Sequence, residues 1–447
     1  MLDHTDAQIG RLVAFLSELQ LLDDTLVILM SDNGASQEGG PIGVLDEMRY
    51  FNGMREDLDT AIKRLNEIGG PNSHSNIPWG WAQAGNTPLK WYKQNTHGGG
   101  VRDPLIVHWP ARIKTPGMRR QFCHAIDLTP TVMDLLGIEP PATVAGVPQM
   151  PIHGTSLVPV LQDPDAAPGR TTQYFEMLGH RGIWRAGWKA VTHHTSGTPF
   201  DDDQWELYHL DEDFSECNDL SQAEPKRLKE MVELWWSDAE RHGVLPLDDR
   251  GAALLFRAAQ RPGLPTSRRQ FIYYPPISHV VADACPSAAR GWTMTVDFDH
   301  PAPDASGALI ARGSINSGFV LYLKNGLVHF DYNCFHDHTV VAGREPLAAG
   351  RHQLRVTIER TEKNGARAEL SVDEGNVGEA QIPVLLRIVS STGMDLGRSP
   401  SPVNSDYEPP FEYPGEILKV VFELPPAGER DAAADARAQA RAAMTRQ

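Results

Sequence analysis

The chain has 447 residues, more than one ordinary domain needs and enough for two or three. Its acidic excess, 58 Asp plus Glu against 41 Lys plus Arg, gives a formal charge of −17, which repels phosphate backbones and argues against a nucleic-acid partner. Hydrophobic residues make up 41 % and charged residues 22 %, a globular balance, and no apolar run approaches the roughly 20 residues that span a bilayer, so no membrane partner is expected. Any small-anion site must therefore be built locally from a few cations. The first residues lack the basic and apolar regions of a secretory signal, which excludes one in this chain but not in a longer parent. Cys123, Cys217, Cys285 and Cys334 are scattered, with no Cys-x-x-Cys pair, and suggest neither zinc nor a disulfide framework. The compartment stays open; with no signal in hand, the cytoplasm is favoured.

In chain order, Thr5 with Gln8 reads as a capping box, and Ile9, Leu12, Val13, Leu16 and Leu19 follow helical spacing. Thr25 to Met30 is a continuous apolar run, the pattern of a strand covered on both faces in a parallel sheet. A second run, Pro104 to Trp109, follows a glycine-rich turn. Thr129 and Pro130 then open a short apolar helix, with Thr129 as cap, and Gly137 closes it. This is α/β in character, and a sheet with so few strands is expected to be incomplete. Residues 1–165 are read as this core. Residues 166–250 mix short strand patterns with an amphipathic helix near Lys226 to Ala239, a small α+β subdomain. From 265 to 425 the texture is period-2, as in Trp292 to Phe298, with Asn325-Gly326 and Asn364-Gly365 as hairpin turns, which predicts a β-sandwich. An Ala- and Arg-rich tail fills 426–447.

Two stretches carry chemistry. Ser31-Asp32-Asn33-Gly34 follows the first strand, at a strand end where open α/β sheets bind ligands. Asp32 offers a carboxylate and Asn33 an amide oxygen, hard ligands suited to calcium, and Gly34 permits a tight turn. Asp-Asn-Gly is also an ordinary solvent-facing turn, and alone that reading is the stronger. The second stretch sets Lys90, Lys93 and Arg102 around Gly98-Gly99-Gly100. Glycines let a backbone approach a ligand, and an ammonium can neutralise an anionic oxygen, although a solvated basic loop has the same composition.

Together and in this order, the stretches resemble the sulfatase family of the alkaline-phosphatase-like superfamily. That resemblance implies that Asp32 and Asn33 supply two ligands to a calcium ion. It also implies that Lys93, ahead of Gly99-Gly100-Val-Arg102-Asp-Pro104, binds the sulfate group of a sulfate-ester substrate and acts in catalysis. Asp127 to Gly137, Gly154-Thr-Ser156-Leu, and Leu207-Tyr-His-Leu-Asp211 through Leu220 are similar to structural motifs of the family. The likeness covers about residues 5 to 245. Phe319 to Gly326 and Asp395 to Tyr407 resemble a laminin-G or concanavalin-like domain, for which glycan binding, packing and dimerisation stay open.

The resemblance also defines a departure. The family nucleophile is formylglycine, made from cysteine in a Cys-x-Pro-Ser-x context. Cys285-Pro-Ser-Ala-Ala-Arg290 shifts both proline and arginine and falls in the sandwich, so it is rejected; the other three cysteines are read as buried thiols. The two aspartates of the family's first strand, the upstream lysine and the histidines have no match, and His74 and His97 are read as surface or structural. The expectation is part of a sulfuric ester hydrolase, arylsulfatase-like, inactive alone. Either it is a truncated product or an N-terminal sulfatase segment is a separate partner. Splitting a parallel sheet would expose strand edges, which favours truncation. The alternatives are a phosphodiester or phosphonate hydrolase of the same superfamily and a non-catalytic glycan-binding remnant.

Overall fold

A computed structural model describes residues 2–249, 268–361 and 364–426. The tail read at 426–447 lies outside the described residues beyond Pro426. The chain divides into two compact units, Met1–Ser36 with Ala82–Asp249, and Gln37–Trp81 with Arg250–Met444.

The first unit opens with helix α1, Leu2–Glu18, which begins one turn before the capping pattern at Thr5 and buries none of its residues. Strand β1, Val27–Met30, pairs with β2, Leu105–His108. The pairing is antiparallel, Val27 opposite His108 and Met30 opposite Leu105, which corrects the parallel arrangement expected from the apolar run. Nor are both faces covered, since Leu29, Met30 and Ile106 are exposed. An apolar run reports that a strand is meant to be covered, not the direction of its neighbour.

Helix α2, Leu128–Leu136, ends at Gly137 in the left-handed region, φ 64°, as the sequence suggests. Its start differs. A 3-10 turn, Ala125–Asp127, precedes it, and the caps are His124 and Asp127 rather than Thr129. Buried Asp127 accepts from the backbone N–H of His124 and of Thr155, both at 2.8 Å, so it serves turn and tertiary contact together.

An antiparallel meander follows: β3 Thr172–Met177, β4 His180–Arg185, β5 Trp188–Thr192 and β6 Trp205–His209. Helix α3, Pro225–Arg241, lays Met231, Trp235 and Ala239 on Ile183, Ala190 and Leu207. Removing this apolar area from water holds the α+β subdomain together.

The second unit is built on two six-stranded antiparallel sheets. One runs β8 (His279–Val280), β17 (Met394–Leu396), β10 (Gly307–Gly313), β11 (Ser317–Lys324), β12 (Leu327–Cys334) and β13 (Asp337–Ala342). The other runs β16 (Gly375–Ile382), β15 (Ala366–Val372), β14 (Gly350–Arg360), β9 (Gly291–His300), β18 (Glu416–Glu423) and β7 (Gln270–Tyr273). Met294, Val296 and Phe298 from β9 meet Leu309, Phe319, Leu321 and Phe330 in one core, which makes the pair a sandwich. Asn325 and Gly326 join β11 to β12 with φ of 53° and 73°, the positive pair that a tight hairpin requires.

Gln37–Trp81 belongs to this unit. Asn52 takes the backbone N–H of Arg387 at 2.7 Å and donates to the Ile388 carbonyl at 2.9 Å, while Met48 joins the sandwich core. No described helix is long and apolar enough to cross a membrane.

Candidate active site

Strand β1 ends at Met30, and the ladder continues one step as Ser31 donates its backbone N–H to Pro104 at 3.3 Å. The chain then turns through Asp32, exposed, and Asn33, half-buried. Ser31 Oγ donates to the Asn33 carbonyl at 3.0 Å and closes the turn. Gly34 is needed for space, not for a left-handed conformation. A Cβ there would stand 1.7 Å from the Gly99 carbonyl oxygen. The tight-turn role expected for Gly34 is thus corrected to a backbone-on-backbone contact.

The basic stretch lies against this turn. Lys93 donates its backbone N–H to Ala35 at 3.1 Å, and Gly34 donates to Gly100 at 3.4 Å. Trp91 and Gln94 bracket Lys93 with φ of 63° and 72°, a conformation uncommon for residues with a Cβ. The Trp91 ring stacks on His193, centroids 5.0 Å apart, which helps to hold this bend. The three segments meet at Asn86, which the sequence did not single out. Its Oδ1 accepts from Ala35 N–H at 3.1 Å; its Nδ2 donates to Trp91 and Gly99 carbonyls at 2.9 and 2.8 Å. Asn86 precedes Thr87-Pro88, a turn-like pair, and nothing local shows that its amide serves residues on both sides.

The glycines do not cradle a ligand. Gly98–Val101 forms one buried helical turn, and a Cβ on Gly99 or Gly100 would fall within 2.0 Å of the Trp91 or Asn95 carbonyl oxygen. The Gly98 N–H donates to buried Glu216 Oε2 at 2.8 Å, and Glu216 pairs with Lys189 at 2.7 Å. Lys90 and Arg102 are engaged structurally. Lys90 reaches Glu206 at 2.7 Å and Tyr208 at 3.0 Å, and the Arg102 guanidinium lies 4.1 Å from the centre of the Phe214 ring. Lys93 is half-buried beside the Asp32–Asn33 turn.

His97 is 1 % exposed and bonds Glu206 at 3.2 Å, and burial lowers its pKa, a structural role. His74 belongs to the other unit. Cys123 and Cys217 are exposed, which corrects their reading as buried thiols, whereas Cys334 is buried.

Burial, and then the charge of Asp32, push the Asp103 carboxyl up to about 6. Mutual repulsion of this kind is relieved by a cation, and Asp32, Asn33 and Asp103 offer only hard oxygens. Among the described residues no group of three or more His, Cys, Asp or Glu is placed to hold a metal. These residues therefore fit one part of a hard-cation site and leave further ligands to be supplied.

Residues 1–138 match the family model described as Sulfatase, and residues 89–235 match that of N-sulphoglucosamine sulphohydrolase, C-terminal; over residues 1–235 the chain is a sulfatase-family sequence. Among its relatives, an uncharacterized sulfatase of Schizosaccharomyces pombe is 29 % identical over 268 residues, 56 % of this chain and 44 % of that protein. An arylsulfatase of Klebsiella aerogenes is 25 % identical, over 35 % of this chain and 32 % of its own. An N-acetylgalactosamine-6-O-sulfatase of Bacteroides thetaiotaomicron is 26 % identical, over 51 % and 39 %. The chain thus spans less than half the length of these relatives.

Proposed function

We propose that this chain provides one side of the active site of a sulfuric ester hydrolase, with an aryl sulfate as its substrate class. Asp32 and Asn33 would hold calcium, and Lys93 would face the sulfate group. Bound calcium would supply Lewis-acid polarisation of the sulfate oxygens. The residues of this chain bind and orient. The Lys93 ammonium neutralises anionic charge on the ester, and Asn86 and Glu216 fix the backbone that carries it. The observation carrying this reading is the hydrogen bond from Lys93 N–H to Ala35, which joins the two motifs beyond the end of β1.

In this reading the attacking group and the remaining ligands come from a further sulfatase segment, either of the same chain or of a separate polypeptide. Support comes from the surface awaiting it. Helix α1 exposes Leu12 and Phe15, Leu19 is exposed just beyond its end, and the β1–β2 pair exposes Leu29, Met30 and Ile106, apolar area of the kind that marks an interaction face. The core is read as a portion of an alkaline-phosphatase-like fold and the sandwich as laminin-G-like.

The test is hydrolysis of an aromatic sulfate ester in calcium, by the chain alone and with a separately produced segment that carries a Cys-x-Pro-Ser-x motif. Turnover is expected only with both parts, and robust turnover by the chain alone would overturn the proposal. An aromatic phosphodiester run in parallel distinguishes the superfamily alternative; preference for it would replace the sulfate ester.

A further inference from the structure

Both carboxylate oxygens of Asp46 are buried without a hydrogen-bond partner among the described residues. The side chain is 1 % exposed, and the nearest guanidinium nitrogen, Arg64 Nη1, stands 3.6 Å away, beyond hydrogen-bond length. Arg64 Nη2 donates to Glu67 at 2.8 Å and to the Asn72 carbonyl at 3.0 Å, so only Nη1 faces Asp46, as an ion pair without a hydrogen bond. A buried carboxylate without donors is costly, and folded proteins rarely keep one unless an ion, a ligand or water answers it.

Asp46 opens onto a cavity of about 50 Å³, lined on one side by Glu47 and His74 of the Gln37–Trp81 segment. The other side is Asn316 and the run Ser390 to Thr392 from loops of the sandwich. Asn316 Oδ1 is a further buried oxygen without a partner. Ser390 and Thr392 already bond each other, at 2.8 Å, so they do not answer it. The cavity thus presents three oxygen acceptors lacking donors, beside the Glu47 carboxylate.

Size narrows the occupant. Small-molecule sites begin near ~300 Å³, whereas a single water needs only ~10–15 Å³ of such space. A sugar ring does not fit; an ion with a few waters does. Hard oxygens without donors and small volume together point to a hard cation. We infer that this cavity binds one divalent cation of the calcium type, with Asp46 and Asn316 as side-chain ligands, and that the ion fastens the Gln37–Trp81 segment to the sandwich. This site does not depend on the function proposed above.

The experiment uses the full chain in a D32N background, so that the proposed active-site ligand is removed. Calcium binding is measured by titration calorimetry and by thermal unfolding. One equivalent should bind and raise Tm, D46N should abolish both effects, and N316A should weaken binding roughly tenfold. If the background binds no calcium, or if D46N binds it as its parent does, water alone fills the cavity and the inference is wrong. Should D46N fail to fold, N316A decides, because unchanged affinity there overturns the assignment.

Discussion

Lys93 and Ala35, 58 positions apart in sequence, are joined by a backbone hydrogen bond of 3.1 Å. That contact sets the lysine against the Asp32–Asn33 turn without using either side chain. Removing the ammonium leaves this backbone contact in place. With the complementing segment of the proposed hydrolase supplied, K93A is expected to lower kcat/KM for an aromatic sulfate by roughly 10²–10³, the usual loss for one charge-stabilising group. Steady-state kinetics check this, and undiminished kcat/KM in K93A would contradict the assignment.

Asn86 should bear on folding instead. Its amide makes three hydrogen bonds, to Ala35, Trp91 and Gly99. N86L leaves all three backbone groups unanswered and is expected to cost about 2–4 kcal/mol in denaturant unfolding. N86D keeps the acceptor for Ala35 but not the two donors, and should fall between.

The glycines offer a paired test of space against propensity. Gly99 has carbonyl oxygens of Trp91 and Lys90 at 1.9 and 2.6 Å from where a Cβ would lie, so G99A should destabilise by about 3 kcal/mol or prevent folding. Gly10, inside α1, has nothing within 4 Å. G10A should raise stability by about 0.5–1 kcal/mol through helix propensity. Circular dichroism melts of both variants read the contrast.

Glu216 and Lys189 form a buried ion pair at 2.7 Å, in which burial lowers the Lys189 pKa and Glu216 opposes that shift. E216Q removes the countercharge but keeps an oxygen for Gly98 N–H, and is expected to cost about 3–5 kcal/mol. Replacing both partners with apolar residues of similar volume should recover much of that loss, as measured in urea unfolding. If E216Q alone is neutral, the pair is not what steadies the glycine turn.

In the sandwich, the hydrogen bond to buried Asp331 raises the His338 pKa above its ordinary 6.5. A pKa raised by folding means that the folded state holds the proton more tightly. The contribution is complete below 6.5 and is lost as pH climbs through the folded value. The stability difference between wild type and H338Q should therefore shrink as pH rises from below 6.5 through the folded value. A difference that grows with pH would contradict the assignment.

The sequence by itself determined what is local. The hairpin at Asn325-Gly326 follows from two residues that accept positive φ, and the sandwich strands follow from alternating burial such as that of β9. The order of Asp32, Asn33 and Lys93 relative to the glycine run was legible because motif spacing is a property of the chain. Tertiary structure alone decided the antiparallel partner of β1, the three-way role of Asn86, and the docking of Gln37–Trp81 on the sandwich. The physical reason is common to all three. Each depends on which backbone groups remain to be satisfied after local structure has formed, and those partners are remote in sequence. The orphaned oxygens of Asp46 belong to the same class, since only the folded chain shows that burial has left them without donors.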